Sequence, residues 1–159
     1  MSGGFMIKRI IFDIDGTLIT GVDFSSYVSN TLKKYGIEGI EKTKQFLLNI
    51  KEYEKTYNSY DRNLYLKFFG DKLDCKLDNH FLEIFFQELR KAIPENAEKI
   101  KSMLAAMNEY ELVLLSNYFE NLQRDRLEHI GINKYFSEYY GEKICKPNKK
   151  VFFEAIRNK

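Results

Sequence analysis

Residues 7–18 read IKRIIFDIDGTL, and this stretch decides the fold class. The run 7–14 is rich in apolar and β-branched side chains, which predicts a short buried strand. Two carboxylates, Asp13 and Asp15, close the strand, and Gly16 then permits a sharp turn. Because side chains alternate along a strand, both carboxylates are expected to point to the same side. They would repel each other there unless a cation lies between them or one is protonated.

The turn that follows has the composition of an anion-binding loop. Gly16 allows backbone N–H groups to approach a bound anion, and Thr17 can hydrogen-bond within the turn and hold its shape. A strand-end Asx turn is the alternative explanation, since an isolated Asp-x-Asp arises by chance in many proteins. The full pattern, an apolar strand followed by DxDGT and another apolar residue, is much more specific and favours a catalytic site.

The rest of the chain alternates between helical and strand-like stretches. From 24 to 93, apolar residues recur three or four positions apart, with breaks near 36–39, 58–61 and 70–78. This periodicity predicts about four helices inserted after the first strand. The elements predicted next are a helix from Pro94, a strand over 111–117, a helix over 122–129 that ends at Gly131, a strand over 135–140 and a helix over 149–157. Strands alternating with helices predict an α/β fold with a parallel sheet and right-handed crossovers.

Further polar residues follow the later strands, and ligands of parallel sheets bind at the carboxyl ends of strands. Ser116 and Asn117 could bind phosphate oxygens without adding charge, although alone they would also suit a helix N-cap. Lys146 precedes Pro147, and a lysine held in this way can present a point charge to a phosphate and to a carboxylate. Taken singly, a Lys-Pro pair usually marks an ordinary loop.

The composition excludes several classes of partner. The formal net charge is +2 with acids and bases interspersed, so we expect no nucleic-acid or membrane partner. Lys8, Arg9 and Asp13 interrupt the N-terminal apolar region that a signal peptide needs, and no apolar run approaches the roughly 20 residues that span a bilayer. Cys75 and Cys145 form no CxxC motif and are expected to be reduced thiols. These features predict a cytoplasmic protein.

In their order and spacing, DIDGTL, LLSN and KP resemble motifs I, II and III of the haloacid dehalogenase (HAD) superfamily. The closest resemblance is to its phosphatase-like subfamily with a helical, C1-type cap inserted after the first strand. The stretch NLQRDRLEHIGINKYFSEYYGEKICKPNKKVFFEAI also resembles the family, so the likeness covers nearly the whole chain. It implies a Rossmann-like parallel sheet with helices on both faces. The implied core comprises 1–20 and 94–159, and the implied cap comprises 21–93.

The resemblance also implies a mechanism. Asp13 would be the nucleophile that forms an aspartyl-phosphate, and Asp15 the general acid and base. Mg²⁺ would be held by the Asp13 carboxylate and the Asp15 backbone carbonyl. The implied substrate-binding residues are Gly16, Thr17, Ser116, Asn117 and Lys146, of which the lysine is also catalytic. True dehalogenases resemble this fold but lack an acid at the position of Asp15, so phosphate chemistry is favoured.

The family pattern continues with another strand that ends in one or two aspartates and completes the Mg²⁺ shell. The printed chain stops at Lys159 before such a stretch, so we expect the C-terminal strands of the sheet to be missing. Glu142 is only a weak candidate for a replacement ligand. Strand 7–13 would then be an exposed apolar edge. We expect a second copy of the chain to cover it, by dimerisation or segment exchange, unless the fold is only marginally stable.

Three functions stay open at this stage. The leading one is Mg²⁺-dependent hydrolysis of a small phosphorylated metabolite, such as a sugar phosphate or a nucleotide. A phosphomutase, which passes the phosphoryl group to another substrate hydroxyl, is the second. The third is an inactive binding or assembly module, favoured by the missing last motif. Specificity would depend on cap side chains, for which Asp23, Tyr27 and Arg62 are candidates.

Overall fold

A computed structural model describes residues 8–157 of the chain. Within that range the strands are β1 (Arg9–Phe12), β2 (Glu111–Leu115) and β3 (Phe136–Tyr140). The helices are α1 (Phe24–Lys34), α2 (Ile40–Tyr57), α3 (Arg62–Leu73), α4 (Asn79–Arg90), α5 (Ala97–Ala106), α6 (Glu120–Ile130) and α7 (Lys149–Ile156), and a 3-10 turn spans Asn133–Tyr135. The strands lie in the order β1, β2, β3, and both pairings are parallel. The predicted α/β class with a parallel sheet is therefore confirmed.

Helices cover both faces of the sheet, as expected for a Rossmann-like fold. On one face, Phe12 and Leu114 belong to an apolar cluster that they share with α5 and α6. On the other face, Leu115 packs against Val151 and Ala155 of α7. Neighbouring strand residues point to opposite faces, so the sheet is enclosed between two helical layers and its strand ends are fixed in place.

The element boundaries differ from the predicted ones for local reasons. β1 ends at Phe12, before the predicted residue 14, because the chain turns directly after it; residue 7 lies outside the described residues. α5 begins at Ala97, whose N–H donates to the Pro94 carbonyl (3.2 Å) and closes a turn ahead of the helix. Gly70, predicted as a break, lies inside α3. An added Cβ there would come within 2.8 Å of the Cys75 carbonyl oxygen, so this glycine permits close packing.

Four helices, α1 to α4, occupy the stretch between β1 and α5, which is described throughout. Three of them begin at an aspartate whose carboxylate accepts hydrogen bonds from the first turn: Asp23, Asp61 and Asp78. α1 packs against α2 and α4, and α3 packs against α2. Their shared core is aromatic, with the ring centroids of Phe46 and Phe69 only 4.3 Å apart.

This aromatic core continues into the sheet region. Phe119 and Leu122, which follow β2, belong to the same apolar cluster as Phe46, and so does the buried Cys145. The inserted helices therefore pack directly on the segments that follow the strands. The division into a core of 1–20 and 94–159 and a cap of 21–93 stays a prediction.

The structure bears on two expectations about the environment of the protein. Cys75 and Cys145 both carry free thiols. Among the helices of the described range, none is long and apolar enough to cross a membrane. The cytoplasmic location stays a prediction.

β1 lies at one edge of the sheet that the described strands form, and its four residues are half-buried. Arg9 connects this edge strand to the rest of the sheet. Its guanidinium lies 2.8 Å from the Glu111 carboxylate of β2 and 3.4 Å from the Glu138 carboxylate of β3. It also donates to the Ala155 carbonyl of α7 (2.9 Å). Cover of the β1 edge by a second copy of the chain stays a prediction.

Replacing Arg9 with methionine is expected to lower the free energy of unfolding by about 2 kcal/mol, because the side chain is nearly buried and its contacts join three strands and a helix. Urea unfolding followed by circular dichroism measures the loss. Lys44→Met is the matched control, since the exposed Lys44–Glu41 pair should contribute less than about 1 kcal/mol. Equal losses in the two variants would contradict the role given to Arg9.

Candidate active site

The loop after β1 carries both predicted carboxylates at the carboxyl edge of the sheet. Ile14 and Ile19 are buried and hold the loop in place, and the Ile19 N–H donates to the Ile14 carbonyl (2.8 Å). The side chains of Asp13 and Asp15 stay 38% and 37% exposed, so they face open space from a rigid turn. β1 ends at Phe12, before both aspartates, so the alternation expected along the strand does not reach them; both nevertheless line the same cavity.

Asp13 is paired with Lys146. The lysine Nζ lies 2.8 Å from Asp13 Oδ1, which also accepts the Ile14 N–H (2.9 Å). The Asn117 side chain holds the backbone of Lys146 through both its N–H and its carbonyl. Its Nδ2 donates to the Lys146 carbonyl (3.1 Å), and its Oδ1 accepts the Lys146 N–H (2.7 Å). The side-chain amide of Asn117 therefore orients Lys146.

Asp15 is paired with a residue that the sequence analysis missed. The Arg126 guanidinium donates to both oxygens of Asp15, from Nη2 to Oδ1 (2.8 Å) and from Nη1 to Oδ2 (3.2 Å). Gln123 Nε2 also donates to Asp15 Oδ2 (3.2 Å), and its Oε1 accepts from Arg126 Nη1 (2.6 Å). Arg126 lies above the Phe24 ring with its side chain 3% exposed. Buried arginines need such charged or polar partners.

The sequence did carry a signal for these two residues. Along α6, the buried face bears Leu122, Leu127 and Ile130 at helical spacing, and Gln123 and Arg126 occupy positions on the same face. Two polar residues at positions where an amphipathic helix should be apolar call for buried polar partners. Asp15, 111 positions away in the chain, is that partner for Arg126.

Each carboxylate thus has its own side-chain cation. From the sequence, the repulsion between Asp13 and Asp15 required a cation between them or a proton on one. In the structure, Lys146 and Arg126 each neutralise one carboxylate at hydrogen-bonding distance. The two carboxyl groups can therefore lie close together in one loop.

The end of β2 is hydrogen-bonded to the end of β3. The Tyr139 hydroxyl donates to the Ser116 carbonyl (2.6 Å), and burial raises the pKa of this tyrosine well above its usual value, so it stays a hydroxyl donor. Ser116 is buried, and its hydroxyl accepts a long hydrogen bond from Gln123 (3.4 Å). Tyr118 has φ +126°, a strained value for a tyrosine, in the loop that carries the site.

Gly141 follows β3 and permits this close approach. It has φ +117°, and an added Cβ would lie 2.1 Å from the Ser116 carbonyl oxygen. A side chain at this position would push the β2 and β3 ends apart, and with them Ser116 and Asn117.

Gly141→Ala is expected to lower the free energy of unfolding by at least about 3 kcal/mol, because it adds a backbone clash to the strain of positive φ. Gly21→Ala is the matched control: Gly21 also has positive φ (+73°), but an added Cβ meets nothing within 4 Å. That variant should lose only about 1 kcal/mol. Chemical denaturation measures both, and a Gly141→Ala loss no larger than the control would contradict the proposed contact.

The structure does not bring every predicted site residue together. Gly16 and Thr17 are exposed, and their N–H groups donate within the turn, to the Ile19 carbonyl (2.9 Å) and the Ile14 carbonyl (3.3 Å). They shape the loop, and their binding of substrate stays a prediction. Glu142 accepts a hydrogen bond from the backbone N–H of Glu120 at the start of α6. This contact gives Glu142 a structural role and directs its carboxylate to α6.

A pocket of about 400 Å³ opens above the strand ends. At the sheet edge its polar lining consists of Asp13, Asp15, Ser116, Asn117, Gln123, Arg126 and Lys146, so five of the seven predicted site residues face one cavity. Helices α1, α2 and α4 supply an opposite wall. The expected cap residues Asp23, Tyr27 and Arg62 are absent from the described lining: the first two border a different cavity, and Arg62 stacks over Phe86.

The protein has a Rossmann-like α/β fold, with a parallel sheet and helices on both faces. Its candidate site lies at the carboxyl edge of the sheet, where an aspartate–lysine pair follows the first strand. A family model described as haloacid dehalogenase-like hydrolase matches residues 7–158. The chain belongs to this family. The resemblance drawn from the three motifs is thereby confirmed.

Solved structures give the same fold. L-2-haloacid dehalogenase from Xanthobacter autotrophicus is similar with a TM-score of 0.64 at 19% identity, over 94% of this chain and 63% of that one. Magnesium-bound YfnB from Bacillus subtilis, described as a HAD hydrolase, has a TM-score of 0.62 at 13% identity, over 84% and 64%. A predicted phosphoglycolate phosphatase from Haemophilus somnus has a TM-score of 0.51 at 21% identity, over 95% and 71%.

These likenesses concern the fold alone. The chain spans 63% of the length of the dehalogenase and 64% of that of YfnB. A comparison with curated proteins found no match.

Proposed function

We propose that this site hydrolyses small phosphomonoesters through an aspartyl-phosphate on Asp13. The observation that carries the proposal is the Asp13–Lys146 pair, 2.8 Å apart in the pocket, with the positioned carboxylate of Asp15 two residues along the chain. A carboxylate nucleophile must approach a phosphate that is itself anionic. A cation beside the nucleophile lowers that repulsion, and Lys146 is suitably placed.

The chain's own residues account for both half-reactions. A carboxylate oxygen of Asp13 attacks phosphorus, the bond between phosphorus and the leaving oxygen breaks, and that oxygen takes a proton from Asp15. Water then attacks the aspartyl-phosphate, giving its proton to Asp15, so inorganic phosphate leaves and Asp13 is regenerated. Arg126 and Gln123 fix the direction of the Asp15 carboxylate, and Asn117 fixes Lys146.

Mg²⁺ is generally used by members of this superfamily, and the residues present fit it in a limited way. Both contacts described for Asp13 go to Oδ1, so Oδ2 and the Asp15 carbonyl are the groups that would hold the ion. Within residues 8–157, no group of three His, Cys, Asp or Glu residues could hold a metal. Water and substrate phosphate would therefore supply most ligands, as is common for Mg²⁺. When bound, the ion would neutralise charge on the transferring phosphoryl group.

The phosphatase proposal is preferred over carbon–halogen cleavage because Asp15 offers a proton donor and acceptor beside the nucleophile. A phosphomutase would use the same residues and differ only in the acceptor of the phosphoryl group. Release of inorganic phosphate, measured beside the appearance of an isomerised phosphoester, separates these two reactions.

Turnover of p-nitrophenyl phosphate in the presence of Mg²⁺ is the test of the proposed function. Asp13→Asn should reduce the rate at least ~1,000-fold, because the amide is a very poor nucleophile. EDTA should also abolish turnover. Asp23→Asn is the control, since this exposed aspartate caps α1 outside the pocket and asparagine caps helices equally well.

Two results would count against the proposal. Equal rates for the native chain and Asp13→Asn would rule out Asp13 as the nucleophile. Absence of turnover from a chain shown to be folded by its unfolding transition would favour the inactive binding or assembly module.

A further inference from the structure

The pocket has two chemically different walls. The carboxyl edge of the sheet supplies its charged end, whereas the inserted helices supply a wall of apolar side chains: Phe24 and Val28 of α1, Leu47 and Ile50 of α2, and Phe85 and Leu89 of α4. We propose that this wall selects phosphomonoesters whose leaving group is compact, uncharged and apolar. The inference rests on the proposed function, and it opposes the sugar phosphates and nucleotides expected from the sequence.

The apolar wall combines a fixed layer with a half-covered one. Val28, Phe85 and Leu89 are buried in the aromatic core of the inserted helices, so their positions are set by packing. Leu47 and Ile50 are only half-buried and leave apolar surface open beside the site. An apolar ligand that covers such surface removes apolar area from water on both sides of the contact, whereas a polar ligand loses its own hydrogen bonds to water there.

Two tyrosine hydroxyls that line the pocket are already engaged. The Tyr60 hydroxyl donates to Glu54 Oε1 (2.7 Å), and burial raises the pKa of this tyrosine far above its ordinary value, so it remains a neutral hydroxyl. The Tyr118 hydroxyl is hydrogen-bonded to that of Tyr65 (2.7 Å). A sugar ring in this position would bury hydroxyl groups against aliphatic side chains, and each unpaired group would weaken binding.

The charges that line the pocket also favour an uncharged leaving group. Among the described residues that line the helical wall, Glu54 is the charged one, and it is negative. The cations of the pocket, Lys146 and Arg126, are paired with Asp13 and Asp15, and Arg126 also lies over the ring of Phe24. A second phosphate beside Glu54, as in a nucleoside diphosphate, would meet a group of like charge.

The size of the cavity is compatible with such a leaving group. At about 400 Å³, the cavity lies near the lower end of the usual range for ligand pockets, roughly 300–1,000 Å³. A phosphoryl group and one ring or branched alkyl group fit in such a space. Together with the apolar wall, this size favours a phosphate ester of a compact cyclic or branched alcohol.

Cyclohexylmethyl phosphate and glucose 6-phosphate provide a matched comparison, since both are esters of a primary alcohol on a six-membered ring and they differ mainly in hydroxyl groups. We expect kcat/KM to be at least ~100-fold higher for cyclohexylmethyl phosphate, since several unpaired hydroxyls are each worth about tenfold. Equal rates, or a preference for glucose 6-phosphate, would overturn the proposal.

Leu47→Asn tests the wall directly, because asparagine is close to leucine in size and polar. It should reduce the preference for cyclohexylmethyl phosphate at least ~10-fold, mainly through KM. Leu48→Asn is the matched control, since Leu48 is 79% exposed and lies outside the pocket lining. An unchanged preference in Leu47→Asn, with phosphatase activity retained, would also overturn the proposal.

A binding measurement separates this inference from the proposed function. Calorimetric titration with cyclohexylmethylphosphonate, which cannot be hydrolysed, reports on the pocket without chemistry. Binding that is weakened by Leu47→Asn and not by Leu48→Asn supports the apolar wall even if neither ester is hydrolysed, in which case the phosphatase function fails alone. Absence of binding by the folded native chain would refute the wall's role.

Discussion

Asp13 and Asp15 project from one turn at the carboxyl edge of the sheet, and two carboxylates so close together are stable only when their charge is compensated. Lys146 and Arg126 provide the compensation, each at 2.8 Å from a carboxylate oxygen. These two cations come from different parts of the chain, one from the loop after β3 and the other from α6. The arrangement of the strand ends therefore depends on charge pairs that join three separate segments.

The surrounding contacts keep these ion pairs in place. Asn117 binds the backbone N–H and the carbonyl of Lys146, so the loop after β2 determines where the lysine lies. Gly141 lets the β3 end approach Ser116 more closely than any side chain would permit. Arg126 is buried, and removing one partner of a buried ion pair costs much more than the pair contributes in net terms. Charge, hydrogen bonding and backbone packing thus favour one arrangement of the site.

Sequence patterns predicted the features that local chemistry determines. The apolar strand before Asp13 and the glycine that ends α6 follow from periodicity and from backbone freedom, and the structure has both. Ser116 and Asn117 were recognised because they follow a strand, and Lys146 because it precedes Pro147. The structure shows in addition that Asn117 orients the lysine. Gly70 was mistaken for a helix break, since its close contact with Cys75 involves tertiary packing.

The residues that sequence reasoning missed depend on contacts between distant segments. Arg126 meets Asp15 across 111 positions, and nothing near either residue in the chain specifies the other. Only the polar residues on the buried face of α6 hinted at such a pair. The apolar wall could not be predicted for a similar reason. By its spacing Leu47 belongs to the core side of α2, and it lines the pocket only because of the way the helices pack.

The most direct measurement is a double-mutant cycle between Asp15 and Arg126, using Asp15→Asn, Arg126→Met and the double variant in urea unfolding. If Asp15 depends on Arg126, the losses of unfolding free energy in the two single variants should together exceed the loss in the double variant. The expected difference, the coupling energy, is about 1–2 kcal/mol, given that Asp15 is partly exposed. Additivity within about 0.3 kcal/mol would show that the pair is not coupled and would contradict this account of the site.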